Sequence, residues 1–446
     1  MNDKLAGLSQ AQLDTHWMPY TGNRQFKRDP RIITAAKGCY YTSADGRQIF
    51  DGLSGLWNCG AGHNRREIAE AIKQQLITLD YAPAFQFAHP KSFELAERIT
   101  HFMPAGLNRI FFTNSGSEST ETSLKIARAY WRKRGLPGKT KLIGRINGYH
   151  GVNFGGISVG GIGANRSLFG PALDADHLSH TLLPENRFCQ GQPQQGAHLA
   201  NELLELIALH DPNNIAAVIV EPMAGSAGVL PPPEGYLQRL REICDQHQIL
   251  LIFDEVITAF GRMGTASGAE LFGVVPDILN TAKQLTNGNI PMGAVAVRQG
   301  IYDTFMEQGG PDYQLELAHG YTYSAHPVAC AAALATISIL EQENLFQRAS
   351  ELAYVLEETI HQLRGLALIS DIRNCGLAAG LTIESAPGEP LLRPFRIAMK
   401  MWNKGFYIRY GGDTVQLGMP FISTSEEIDG LVNALAESIL EVANGQ

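Results

Sequence analysis

The chain has 446 residues, 44% hydrophobic and only 18% charged, enough to bury a large core and to divide into more than one compact unit. With 36 basic against 44 acidic residues its formal charge is −8, which removes the electrostatic reason to hold nucleic acid or an anionic membrane. No apolar run approaches the roughly 18 residues that cross a bilayer.

The opening stretch MNDKLAGLSQAQLDTHW lacks the basic start and apolar run of a secretory signal. Cysteines stand scattered at 39, 59, 189, 244, 330 and 375 with no CxxC pair. They read as reduced thiols in a cytoplasmic protein, and no spacing argues for a metal.

RIFFT (109–113) reads as a strand. After it, Leu124, Ala127 and Trp131 share one helical face. Between them lies TNSGSESTE (113–121), where Ser115, Gly116 and Ser117 bring small side chains, hydroxyls and free N–H groups to a helix start. That suits a phosphate or another anion, although an ordinary capped turn looks the same. No Gly-Lys-Ser/Thr follows, so it is not a Walker loop.

NGYHG (147–151) places Tyr149 and His150 in a glycine-bracketed loop. Tyr149 either stacks on a flat ligand or packs the loop; His150 reads as structural. The glycine-rich GGISVGGIGAN (155–165) does not match GxGxxG and no helix pattern opens behind it, so no dinucleotide site is expected.

AAVIVEP (216–222) is a second strand, ending at Glu221. Leu237, Leu240 and Cys244 mark a helix, and ILLIFDEV (249–256) is a further strand. Asp254 and Val256 face one side of that strand and Glu255 the other. An aspartate at a strand's carboxyl end suits a cationic ring nitrogen, with Val256 as an apolar surface beside it; a helix cap or ion pair is the plainer reading. PDILNTAKQLTNG (276–288) then carries Lys283 from an apolar segment into a polar loop. Runs of Val, Ile and Leu alternating with helices predict an α/β fold with a mostly parallel sheet. The large domain is expected over 60–325. A smaller α+β domain is expected from 1–59 and 326–446, including FYIRY (406–410).

A phosphate cradle, a stacking aromatic, a strand-end aspartate and a sequestered lysine together fit pyridoxal 5′-phosphate. Its phosphate takes the Ser-Gly-Ser turn, and its ring takes two flat or apolar faces. Its ring nitrogen needs a paired carboxylate to stay protonated, and its aldehyde needs a lysine for a Schiff base. A free lysine pKa near ~10.4 would have to fall for that role.

FDEVITAFGRMG (253–264) followed by TAKQLTNG (281–288) resembles the class III aminotransferases of fold type I. HWMPYTGNR (16–24), DGLSGLWNCGAGHNRREI (51–68), HGYTYSAHPVACAAALAT (319–336) and RYGGDTVQLGMP (409–420) are similar to the ω-amino acid:pyruvate members. The resemblance covers nearly the whole chain. It implies that Lys283 bonds the cofactor, Asp254 pairs with the ring nitrogen, and Val256 and Tyr149 sandwich the ring. Ser115, Gly116 and Ser117 would hold the phosphate. Thr322 would reach the phosphate of a neighbouring subunit, making a homodimer with shared sites, or a tetramer. Trp57 and Phe85 would line the substrate pocket, and Arg409 and Gln416 would hold a substrate carboxylate. Ala325 departs from the glycine expected before His326-Pro327.

The activity implied is transfer of an amino group from β-alanine or a related amine to pyruvate. Donors such as γ-aminobutyrate, taurine or a diamine stay open, as do aminomutase and decarboxylase chemistries on the same fold. A protein that binds the cofactor without catalysis is the remaining alternative. Glu221 is expected to face the pocket and hold Arg409 at rest.

Overall fold

The computed structural model describes residues 6–445. Near the N-terminus, β1 (Ile33–Lys37), β2 (Tyr40–Ser43) and β3 (Gln48–Asp51) form an antiparallel ladder. The central sheet is built from β4 (Leu107–Thr113), β5 (Lys141–Arg145), β6 (Ala175–Leu178), β7 (Ile215–Val220), β8 (Leu250–Asp254), β9 (Ile278–Thr281) and β10 (Gly293–Arg298). Its order is β4-β10-β9-β8-β7-β5-β6. Pairing is parallel from β6 across to β9, and β10 runs antiparallel to both its neighbours.

The apolar runs explain this centre. Every residue of β7 and β8 is buried, as expected of strands covered on both faces. Each fully buried Val, Leu or Ile contributes about 1.5–3 kcal/mol of apolar transfer. The helix Gly116–Lys133 buries Leu124, Ala127 and Trp131 against this sheet, and Trp131 donates to the Ala216 carbonyl (2.8 Å). The helix Tyr236–Gln246 buries Leu237, Leu240 and Cys244.

The glycine-rich 155–165 stretch departs from expectation, because it falls in two short helices, Phe154–Val159 and Gly163–Phe169. Its glycines allow close packing: a Cβ on Gly155 would lie 2.5 Å from the Glu121 carboxylate.

The C-terminal strands are β11 (Ile369–Asn374), β12 (Ala379–Ile383), β13 (Phe406–Tyr407), β14 (Arg409–Gly411) and β15 (Thr414–Leu417). FYIRY is therefore two strands rather than one. β13 joins β3 in the N-terminal sheet, while β14 pairs with β15 in a separate antiparallel sheet. Among the described residues, no helix is long and apolar enough to cross a membrane.

Candidate active site

The carboxyl ends of β7, β8 and β9 open into a cavity of about 310 Å³. Ser115, Gly116, Ser117, Tyr149, Asp254, Val256 and Lys283 all line it, with His150 and Glu221. Open parallel sheets gather ligands at this end, where strand ends and helix starts converge.

The cradle comes first in the chain. Ser115 caps the helix Gly116–Lys133, its hydroxyl accepting from the Glu118 N–H (3.2 Å). The first N–H groups of a helix have no partner within it and carry partial positive charge, so they favour an anion. Ser117 Oγ accepts from the Val152 N–H (3.1 Å), which leaves its own hydrogen for a ligand. Two glycines set the shape. A Cβ on Gly116 would stand 2.8 Å from Val256 Cγ1, and one on Gly151, at φ +92°, would stand 2.5 Å from Ser117 Oγ.

Asp254 ends β8 and is buried. His150 Nδ1 donates to its Oδ2 (2.8 Å), and the Val256 N–H donates to its Oδ1 (3.2 Å). These bonds fix the carboxylate's orientation. Glu255 turns the other way, as the strand alternation requires, and accepts from Gly268 N (2.5 Å), Ala269 N (2.8 Å) and Thr258 Oγ1 (2.7 Å). Burial pushes its carboxyl up to about 7.

Lys283 follows β9 directly, opening a 3-10 turn at φ +45°. Burial pulls its amine down to about 8, against the opposing pull of Asp254 and Glu221, while Arg409 pushes the same way as burial. An amine tuned this close to neutrality gives up and takes back a proton readily.

Glu221 is fully buried, and loss of hydration raises its carboxyl to about 7. It does not hold Arg409. Its Oε1 accepts from the Tyr149 N–H (2.9 Å) and its Oε2 from the Gly225 N–H (3.2 Å), so both oxygens fix loops. Burial likewise raises the Tyr149 hydroxyl, whose neighbours include Tyr20 and Arg409.

The remaining expected residues lie outside the cavity wall. Arg409 is half-buried at the start of β14, close enough for its charge to act on Lys283 and Tyr149. Gln416 is its partner across the β14–β15 ladder, but is fully buried and donates from Nε2 to the Ser226 carbonyl (3.1 Å). Gln416 therefore stands beside Arg409 and off the cavity wall. Trp57 also lies off the cavity wall. It is only 3% exposed, packed under the Arg262 guanidinium (5.5 Å to the ring centroid) and over Gly418, where any Cβ would overlap its ring. The cavity instead receives Asn58. Phe85 is 54% exposed, its ring against Gly320, and Thr322 is exposed with its carbonyl accepting from the Tyr81 hydroxyl (2.9 Å). Neither reaches the cavity of its own chain.

Sequence reading missed the His150–Asp254 bond, although an imidazole next to a candidate stacking residue was the available signal. Asn58, Thr286 and Met292 also line the cavity, and no pattern marked them.

The donor set fits pyridoxal 5′-phosphate: a glycine-floored helix start for the phosphate, Val256 and Tyr149 for the ring, an oriented carboxylate, and a lysine of lowered basicity. Comparison with known proteins agrees. The chain is 60% identical over 436 residues to the β-alanine–pyruvate aminotransferase of Pseudomonas aeruginosa, covering 98% of this chain and 97% of that one. It is 57% identical to the ω-amino acid–pyruvate aminotransferase of Pseudomonas putida, covering 96% of each. The ω-transaminase of Pseudomonas jessenii, solved in complex with PMP, superposes with a TM-score of 0.92 at 30% identity, covering 98% of this chain and 99% of that one. The family model for class III aminotransferases matches residues 21–439, and the chain belongs to that family, with the fold type I architecture and pyridoxal 5′-phosphate as its cofactor.

Proposed function

We propose that this enzyme moves an amino group from β-alanine or a related ω-amino acid to pyruvate, leaving alanine and an aldehyde or keto acid. The observation that carries the reading is Lys283, with its amine drawn down to about 8, sharing one cavity with the oriented Asp254 carboxylate and the Ser115–Ser117 cradle. The names of the 60% and 57% identical relatives support the donor and acceptor.

When bound, the cofactor supplies an electron sink that makes the carbon bearing the amine acidic. The chain does the rest. Ser115, Gly116 and Ser117 hold the phosphate, and Val256 and Tyr149 grip the ring. Asp254, steadied by His150, keeps negative charge at the ring nitrogen. Lys283 would hold the cofactor through its amine and, once the incoming substrate amine has displaced it, would take the proton from the substrate carbon at Nζ and give it back. Tyr149 keeps its position because Glu221 holds its backbone N–H.

Arg409 binds the carboxylate shared by β-alanine and pyruvate through a charge-assisted pair. Gln416 supports it from the neighbouring strand. Thr322 and Phe85 serve the site of a second copy, so the working unit is a homodimer. Its cytoplasmic placement is supported by six free cysteines.

A donor panel with pyruvate as acceptor tests this reading. Stoichiometric alanine should form from β-alanine with ping-pong kinetics, and Arg409→Ala should damage β-alanine and pyruvate far more than simple amines lacking a carboxylate. Equal losses across donors would remove Arg409 from recognition. Activity confined to diamines or taurine, or product formation without pyruvate, would favour the other class III chemistries.

A further inference from the structure

The reaction does not use a polar chain that joins the Thr322 loop to the helix opening at the phosphate cradle. Thr122, buried on that helix, places Oγ1 2.9 Å from His319 Nε2 and 3.3 Å from the Tyr321 hydroxyl. The Tyr321 hydroxyl also donates to the Glu118 carbonyl (3.2 Å), in the first turn of the helix that opens at the cavity. His319 is held by stacking on Phe111 of β4, centroids 5.4 Å apart and planes 6° apart. Its pKa is lowered, by burial first and by Lys125 second, which keeps the ring neutral.

The same loop is bonded on its outer side. The Tyr321 N–H donates to Ser324 Oγ (3.1 Å), and Tyr81 holds the Thr322 carbonyl. These bonds tie the loop to its neighbours, while the Thr322 side chain is exposed. Bonds that run from an outward loop to the first turn of the cradle helix let the order of one reach the other.

We propose that Tyr321 and Thr122 are positioning residues that register the Thr322 loop to the chain's own cradle, so that filling one cradle of the dimer favours filling the other. This rests on the reading that Thr322 serves the partner's site. A phosphate entering one cradle fixes the turn containing the Glu118 carbonyl. Tyr321 passes that order to Thr322, which then meets the second cradle already in place. Coupling of this kind is reciprocal between the two sites.

The test is a titration of the cofactor-free dimer with pyridoxal 5′-phosphate, followed by visible absorbance, with sedimentation confirming the dimer throughout. In the unmodified protein the second equivalent should bind at least about fivefold more tightly than the first, the lower end of usual coupling. Tyr321→Phe with Thr122→Val should make binding non-cooperative without weakening the first equivalent. Thr122→Ser should keep the cooperativity. If the double variant loses its fold, Tyr321→Phe alone, which keeps the ring, should still reduce it. Independent sites in the unmodified protein, or cooperativity unchanged without these hydroxyls, would overturn the link. Thr322→Ala distinguishes the two readings. Unchanged affinity for both equivalents in that variant sinks the shared site, whereas weakened affinity in that variant, found together with independent sites in the unmodified protein, sinks the link alone.

Discussion

Where β7 and β8 end, the acidic side chains find partners inside the chain: Asp254 has His150, and Glu221 has two backbone N–H groups. Along the rim around Tyr81, Phe85, Phe87 and Tyr323, large rings instead face water. The acidic groups of the first region are satisfied in one copy, since buried charge is tolerated only when its bonds are made. The second carries exposed rings of the kind enriched at interfaces, with Tyr81 edge-on to Tyr323 and bonded to the Thr322 carbonyl. The acidic groups of the site are thus satisfied within one chain, and the outer rings are the surface on which the proposed homodimer would close.

The sharpest break falls on the inner region. Lys283→Ala should lower turnover by on the order of 10⁴-fold while leaving the circular dichroism spectrum unchanged, since it removes both anchor and proton carrier. In the unmodified, cofactor-free protein, the rate of covalent capture should rise as pH passes up through about 8, because only the neutral amine attacks an aldehyde and that amine's pKa is lowered. A rate flat across that range would dissociate Lys283 from capture. On the outer region, Phe85→Asp should weaken dimerisation by roughly 2 kcal/mol or more, read as monomer in sedimentation at low concentration.

Two smaller effects sharpen the contrast. His150→Ala frees the Asp254 carboxylate and should cost roughly 1.5–3 kcal/mol in kcat/KM, as for a hydrogen bond to a charged group, with little change in dimerisation. Ala325 sits at φ +52°, in the left-handed region where a Cβ is strained, and its carbonyl is held by His89 (2.7 Å). Ala325→Gly should therefore stabilise the chain by about 1 kcal/mol in urea unfolding.

The fold was legible where apolar runs are long. β7 and β8 announce themselves because a strand buried on both faces carries no polar alternation. That Lys283, Asp254 and the Ser115–Ser117 turn meet at one cavity was legible because each sits at an element boundary where a polar group has no packing role. The packing of the Trp57 ring was not, because its position depends on Gly418, far away in sequence, leaving room for it. Glu221 was misplaced for a related reason: its partners are backbone N–H groups, which carry no residue identity to read. The antiparallel β10 and the split of FYIRY likewise follow from pairing, not from local pattern.

That split has a mechanical side. Tyr407 ends in one sheet and Arg409 begins another, so the buried Ile408 is the only residue between two ladders. A guanidinium mounted just past such a seam is geared to both sheets at once, and a slide of either one swings it as a lever swings about its pivot.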